Sequence, residues 1–265
     1  MISVNPSAAC ERIIEEEGGL ENIDRIDGVS GGVLVGAMMS MDELALCRKL
    51  FLEVKEQGIP WYLKPAPLDD LNPFDVVDGW YSTDPLYDHV LEHVRPRKMQ
   101  TEFYAGITDL DEGMYKAMPC HSVGRKKCAA RIVKSCVQPW VMQMPGTDGD
   151  GGILRVTAFP DGLQAGDKLY AVVAPPIGIG RQEKLPRREL KNSLQKGKRV
   201  IELFLDVVMA KDLLELEKLA RVEGVEVILI ACPPGMDPGE PFDTDPIKRR
   251  LTKVGKAMWD NRIRL

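Results

Sequence analysis

The sequence lacks long apolar runs, has few aromatic residues and little histidine, and carries no excess of basic charge. Each lack removes a class of function. No segment reaches the roughly 18 to 20 apolar residues that a bilayer-spanning helix needs; the longest runs, residues 33–41 and 225–232, are too short. Aromatic residues make up 6% of the 265 positions, and no basic stretch is interleaved with them. That argues against a groove for single-stranded nucleic acid built from stacking platforms. A formal net charge of -5 disfavours whole-surface attraction to nucleic acid of any kind. The N-terminal stretch has neither a basic start nor an apolar core, so no signal peptide is expected. The six cysteines, Cys10, Cys47, Cys120, Cys128, Cys136 and Cys232, form no C-x-x-C pair and no metal-ligand spacing. They read as reduced, mostly buried thiols of a cytoplasmic protein.

What remains is the composition of a globular protein, 44% hydrophobic and 28% charged, long enough to bury one large core or two small ones. One domain spanning residues 1–265 is expected. Short β-like runs alternate with longer helical ones, which predicts an α/β fold with a mainly parallel sheet. Strands are expected at 23–27, 103–110, 169–174 and 225–232, the last two as continuous apolar runs covered on both faces. Helices are expected at 30–41, 42–57, 85–94, 127–137, 200–222 and 245–260. Asp42 is a candidate N-cap, and Leu203, Val207, Leu214 and Leu219 are the expected apolar side of the longest helix. Residues 58–83 carry Pro60, Pro65, Pro67 and Pro73 with Trp61, Tyr62, Trp80 and Tyr81. Prolines this dense exclude a regular helix or a central strand, so this region is read as a loop or cap over the core.

Two glycine-rich motifs bear chemistry. Gly28-Val29-Ser30-Gly31-Gly32 fits the G-x-S-x-G nucleophile elbow, with a strand before it and a small-residue helix after it. Glycine is needed on both flanks because Cβ atoms would collide in so tight a turn. The turn lifts the serine hydroxyl clear, and the next amide, of Gly31, can face a developing oxyanion. The competing reading is a glycine-rich helix start with a capping serine. A serine hydroxyl also needs a group to take its proton. The order found in α/β-hydrolases would place a histidine late in the chain, yet the only histidines are His89, His93 and His121. A carboxylate is the natural alternative, and Gly149-Asp150-Gly151-Gly152 crowds one with glycines. A surface turn is the bland reading of that stretch. A calcium loop using Asp148 and Asp150 lacks the downstream glutamate it would need.

With both motifs on the page, the chain resembles the patatin-like phospholipase family. That family pairs a G-x-S-x-G elbow with a distant D-G-G or D-G-A motif, and its Ser–Asp dyad sits on a three-layer α/β/α fold. The elbow at Gly28–Gly32 and Asp150-Gly151-Gly152 match the two specific motifs. Ile23-Asp24 resembles the strand entering the elbow. Ala105-Gly106-Ile107-Thr108-Asp109-Leu110 with Gly113, Ala130 through Pro139, Pro160 and Gly166-Asp167 follow in the family's order. The resemblance spans about residues 8–260. It implies a lipid acyl hydrolase, a phospholipase or esterase, with Ser30 as nucleophile and Asp150 as base. It implies a lipid or other acyl ester as substrate, no metal and no organic cofactor.

The chain departs from that family at its start. The family's G-G-G-x-[RK]-G loop, which supplies most of the oxyanion hole, is replaced by Ile2-Ser3-Val4-Asn5-Pro6-Ser7-Ala8-Ala9. Pro6 has no amide hydrogen. The most economical second donor is then an amide of Ser7, Ala8 or Ala9 at the start of a helix running to Glu17, where free N–H groups and a partial positive charge gather. The same departure motivates a non-catalytic binding or scaffold protein as an alternative.

Two further patterns complete the reading. His89-Val90-Leu91-Glu92-His93 matches the H-x-x-E-H pattern of one group of zinc proteases, with both histidines on one helical face. The bland reading places them as solvated flanks of a buried stripe at Leu86, Val90 and Val94, and the sequence identifies no third ligand. On the last helix, Ile247, Leu251, Val254 and Met258 form an apolar stripe among Lys248, Arg249, Arg250, Lys253 and Lys256. This composition could seat the protein peripherally on an anionic bilayer; the alternative is a helix packed on the core.

Overall fold

The computed structural model describes residues 5–57, 63–65, 81–138, 142–143, 146–176, 193–232 and 256–265. They form a mixed α/β protein. The chain opens with helix α1, Asn5–Glu17, and passes to strand β1, Arg25–Gly28, and helix α2, Gly31–Ser40. α2 is apolar on nearly every side, and eight of its ten residues are buried, as expected of a helix enclosed by others. Helix α3, Leu44–Gln57, follows. Asp42 does not cap it; this residue turns the chain with φ 58°, a left-handed conformation that aspartate tolerates better than most residues.

Most of the proline- and aromatic-rich stretch lies outside the described residues. Within it, β2, Lys64–Pro65, pairs antiparallel with β3, Tyr81–Ser82. Helix α4, Asp84–His93, starts on Pro85 in its first turn and buries Leu86 and Val90, since proline suits a position whose N–H has no helical partner. Strands β4, Glu102–Asp109, and β5, Met114–Pro119, lead to helix α5, Arg125–Cys136, and strand β6, Asp148–Asp150. Strand β7, Lys168–Pro176, helix α6, Ser193–Arg221, strand β8, Glu226–Cys232, and strand β9, Ile263–Arg264, complete the fold.

Among the described residues, two mixed sheets stand where a single, mainly parallel one is expected. In the first, β1 lies parallel to β4, while β5 and β6 pair with β4 antiparallel. In the second, β7 and β8 are parallel and β9 is antiparallel to β8. The departure has a local cause. The turn joining β4 to β5 is tight, with Gly113 at φ +63°, and a connection that short permits only antiparallel pairing. β5 is half-exposed along its length, so it shows no continuous apolar run to betray it in the sequence.

The main core gathers residues of α1, α2, α3, α4, α5 and β4. Period-two alternation in β8 links it to a second core. Ile228 and Ile230 face the main core, whereas Val227, Leu229 and Ala231 meet Met209 and Leu216 of α6. α6 keeps Leu219 of the expected stripe packed against this core but turns its other inward positions differently. Val207 and Leu214 are exposed, and Val208, Met209 and Leu216 are buried. A surplus of leucine and valine around the helix hid which arc the sheet would cover. Met258, in the helical turn at 256–260, is buried in the main core; the other apolar positions proposed for a membrane-facing stripe lie outside the described residues. Among the described residues, no helix is long and apolar enough to cross a membrane.

One carboxylate inside this frame is costly. Asp212 of α6 is fully buried. Its Oδ2 accepts the Thr157 amide at 2.8 Å, while Oδ1 has no hydrogen-bond partner among the described residues. Burial pushes its carboxyl up to about 6. A carboxyl raised above its unfolded value supports the fold while protonated, and that support is lost as pH rises through the folded value. Asp212→Asn should therefore stabilise the protein at pH 7 by up to about 3 kcal/mol. The advantage should vanish below about pH 4, where the carboxyl is neutral in folded and unfolded chains alike. Thermal unfolding of both proteins from pH 4 to 7 checks this; a gap independent of pH would refute it.

Candidate active site

The site is built at the point where β1 ends. Ser30 follows the strand with φ 52° and ψ -134° and stands immediately before α2. A non-glycine residue at positive φ is strained and persists only when its surroundings hold it. The turn it makes is closed tightly on one flank. A Cβ on Gly28 would lie 2.6 Å from the Val33 Cα and 2.8 Å from the Gly32 carbonyl oxygen. Both are backbone atoms with little room to yield. Gly32 differs, since an added Cβ there meets nothing within 4 Å. The collision expected on both flanks exists only at Gly28.

Strand β4 sets where the second motif falls. β5 occupies one edge of β4 from Tyr104 to Asp109. β1 and β6 must therefore share the other edge, β1 opposite Glu102 to Ala105 and β6 opposite Ile107 to Asp109. They run in opposite directions along it, so both finish at Gly106. Gly28 is paired with Ala105 and Asp150 with Ile107. The elbow and the acidic turn leave the sheet at the same place, although 120 positions separate Ser30 from Asp150 in the chain. Gly151 is required by this convergence, because a Cβ on it would strike the carbonyl oxygen of Gly106.

The end of α5 ties the two turns together. The Ser30 amide donates to the Ser135 carbonyl oxygen at 3.0 Å, and the Ser135 Oγ lies 3.2 Å from the same amide. The Ser135 hydroxyl donates to the Gly106 carbonyl at 2.6 Å, and the Cys136 thiol to the Ser30 carbonyl at 3.3 Å. One residue further, the Val137 carbonyl accepts the Asp150 amide at 2.8 Å. Three consecutive residues thus hold the backbones of both Ser30 and Asp150. None was singled out from sequence; the signal available was a polar residue, Ser135, on the buried side of a short helix ending before proline.

The electrostatics follow from burial. Asp150 is 5% exposed, and loss of hydration raises its carboxyl above the usual range. The Gly152 amide, donating to Oδ1 at 2.7 Å, and the Ser30 hydroxyl, donating to the same carboxylate, pull it partly back. Asp148, two residues earlier, is instead paired with Lys134 at the surface of α5. The Ser30 amide is spent on Ser135, whereas the Gly31 amide makes no hydrogen bond among the described residues. It remains available to an anion at the elbow.

No protein-family model matches the chain. No curated protein matches it either. The fold sorts the residues singled out in the sequence. Ser30 and Asp150 are brought together, with Gly28, Gly31, Gly151 and Gly152 shaping their turns. His121 is not brought to them; its Nδ1 lies 3.2 Å from the Phe103 amide and 3.3 Å from the Phe103 carbonyl, and its ring packs edge-on to Tyr104. His89 and His93 lie on α4. Ser7, buried, and Ala8, half-buried, sit in the first turn of α1, which packs on α2.

The packing yields a direct expectation. Gly28→Ala and Gly151→Ala each force a backbone shift at the convergence point and should destabilise the fold by about 1–3 kcal/mol. Gly32→Ala, with open space for its methyl group, should leave stability within about 0.5 kcal/mol. Denaturant unfolding of the three variants tests this ordering, which reverses if Gly32 is the constrained flank.

Proposed function

We propose that the protein is a serine acyl hydrolase in which Ser30 is the nucleophile and Asp150 the base. The observation that carries this reading is the convergence beside Gly106 of Ser30, at a strained strand-to-helix turn, with the buried Asp150 carboxylate. Asp150 takes the hydroxyl proton as the Ser30 oxygen adds to an ester carbonyl. The oxyanion is met by the Gly31 amide. Collapse of the tetrahedral species expels the alcohol, which receives the proton from Asp150. Water then gives its proton to Asp150 and attacks the acyl-enzyme, releasing the acid and restoring Ser30. Raising the carboxyl brings the base closer to working pH, where proton transfer is most efficient. Engagement of His121 with Phe103 supports a carboxylate in that role.

The resemblance to patatin-like phospholipases carries the finer parts of the reading: a three-layer α/β/α arrangement, and a lipid or other acyl ester as substrate. The two-sided covering of β8 is consistent with such layering. The second oxyanion donor falls to the first turn of α1, where amides lack helical partners and carry partial positive charge. The small side chains of Ser7 and Ala8 leave room for a carbonyl to approach.

Ser30→Ala should abolish hydrolysis of short acyl esters and labelling by a serine-directed phosphonate. Asp150→Asn should lower kcat/KM by roughly ten-thousandfold while the protein stays folded. In the unchanged protein, kcat/KM should rise with pH through one ionisation above the ordinary carboxylate range of about 3.9. Retained activity in Asp150→Asn would refute the dyad; absence of labelling in the unchanged protein would leave a non-catalytic binding protein. Ala8→Leu tests the second donor separately, with an expected loss of about a hundredfold or more in kcat and unchanged phosphonate-independent melting.

A further inference from the structure

His89, Glu92 and His93 occupy positions i, i+3 and i+4 of α4, so the helix places all three on one face. One ring nitrogen from each histidine and one carboxylate oxygen lie within 4.8 Å of one another, with His93 Nε2 4.0 Å from Glu92 Oε2. The imidazoles are half-buried and the carboxylate is exposed. Leu86 and Val90 hold the adjoining stripe of the helix in the core, so the backbone beneath the cluster is fixed. Arg125, the nearby cation, is committed to the Glu92 carbonyl oxygen at 3.0 Å rather than to its carboxylate.

We propose that these three side chains form a binding site for a divalent transition metal ion of the zinc class. Imidazole nitrogen and carboxylate oxygen are ligands that zinc accepts at about 2.0–2.2 Å. Tetrahedral ligands at that distance stand ~3.3 Å apart, so rotations moving each donor by roughly 1 Å close the set. Water completes the fourth position. The arrangement differs from the enzyme reading of H-x-x-E-H, in which the glutamate serves as base and a third ligand comes from a distant segment. Here Glu92 itself faces both imidazoles and is the third ligand. Two nitrogens and one oxygen favour borderline ions over Mg2+ or Ca2+, which prefer oxygen alone. The ion joins two turns of α4, the helix packed on α5, and shares no residue with Ser30 or Asp150. The inference therefore stands apart from the proposed hydrolase activity.

The test uses the full chain, freed of metal with a chelator and titrated with zinc chloride by calorimetry. One ion per chain is expected, with the thermal midpoint raised by about 5 °C at a hundredfold excess over the dissociation constant. Magnesium chloride should give neither effect. His89→Ala/His93→Ala should abolish binding while melting, without metal, as the unchanged protein does. Glu92→Gln, altering an exposed side chain, should weaken binding by about tenfold or more. Cobalt(II) should produce weak visible bands without near-ultraviolet thiolate absorption. Absence of zinc binding, undiminished binding by the double variant, equal binding of magnesium, or a thiolate signature assigning the ion to cysteines would each overturn the proposal.

Discussion

The edge of β4 that β1 and β6 share is the constraint on which the rest of the site depends. β5 fills the other edge, so a parallel strand and an antiparallel strand must meet tip to tip beside Gly106. Consecutive strand residues advance about 3.3 Å, so partners two positions apart on β4, Ala105 and Ile107, bring their neighbours within side-chain reach. Neither motif could form the pair alone. The elbow supplies a serine at the end of one strand, and the acidic turn supplies a carboxylate at the end of another. Only a common neighbour fixes their separation.

That convergence concentrates unfavourable terms in a small volume. Ser30 adopts a conformation costly for a residue with a side chain, of order 1–3 kcal/mol, and Asp150 is carried out of water with no lysine or arginine among the described residues hydrogen-bonded to it. The compensation is mostly backbone. Ser135, Cys136 and Val137 contact the Ser30 and Asp150 backbones, Ser135 also closes on Gly106, and Gly152 bonds the carboxylate. A carboxylate satisfied by neutral donors keeps a higher proton affinity than one held by a cation. That is the property required of a base acting without histidine. The end of α5 is thus both structural and electrostatic support for the pair.

The second sheet extends the structure without entering the site. Its alternating strand β8 contributes one face to the core around α2 and the other to α6. α1 is attached to β7 by polar contacts, with Tyr170 and Lys168 meeting Glu16 and Glu17. The same helix has its first turn where the proposed second oxyanion donor would come from. The position of that turn therefore depends on β7 as well as on α2, and the proposed chemistry depends on both sheets.

Local patterns in the sequence determined a great deal of this. Apolar runs and the positions of proline marked α2, α4, α5, β4, β7 and β8 to within a few positions, because each signal is carried by neighbours in the chain. The glycines around Ser30 and Asp150 marked two tight turns for the same reason. Other features depended on contacts between distant segments. β5 is half-exposed, so its pairing with β4 left no apolar signature, and the sheet proved mixed rather than mainly parallel. The buried arc of α6 was decided by where β8 lies, since leucine and valine occur on several of its sides. Gly32 lacks the steric need that Gly28 has, because the Val33 backbone approaches only one flank. The roles of Ser135, Cys136 and Val137 were likewise set by tertiary structure, since a hydrogen bond between backbones depends on position and leaves no trace in residue type. The sequence by itself determined which glycine-flanked polar residues, Ser30 and Asp150, were the candidates for a nucleophile and a base; only the fold, by filling one edge of β4 and dividing the other, decided that they meet.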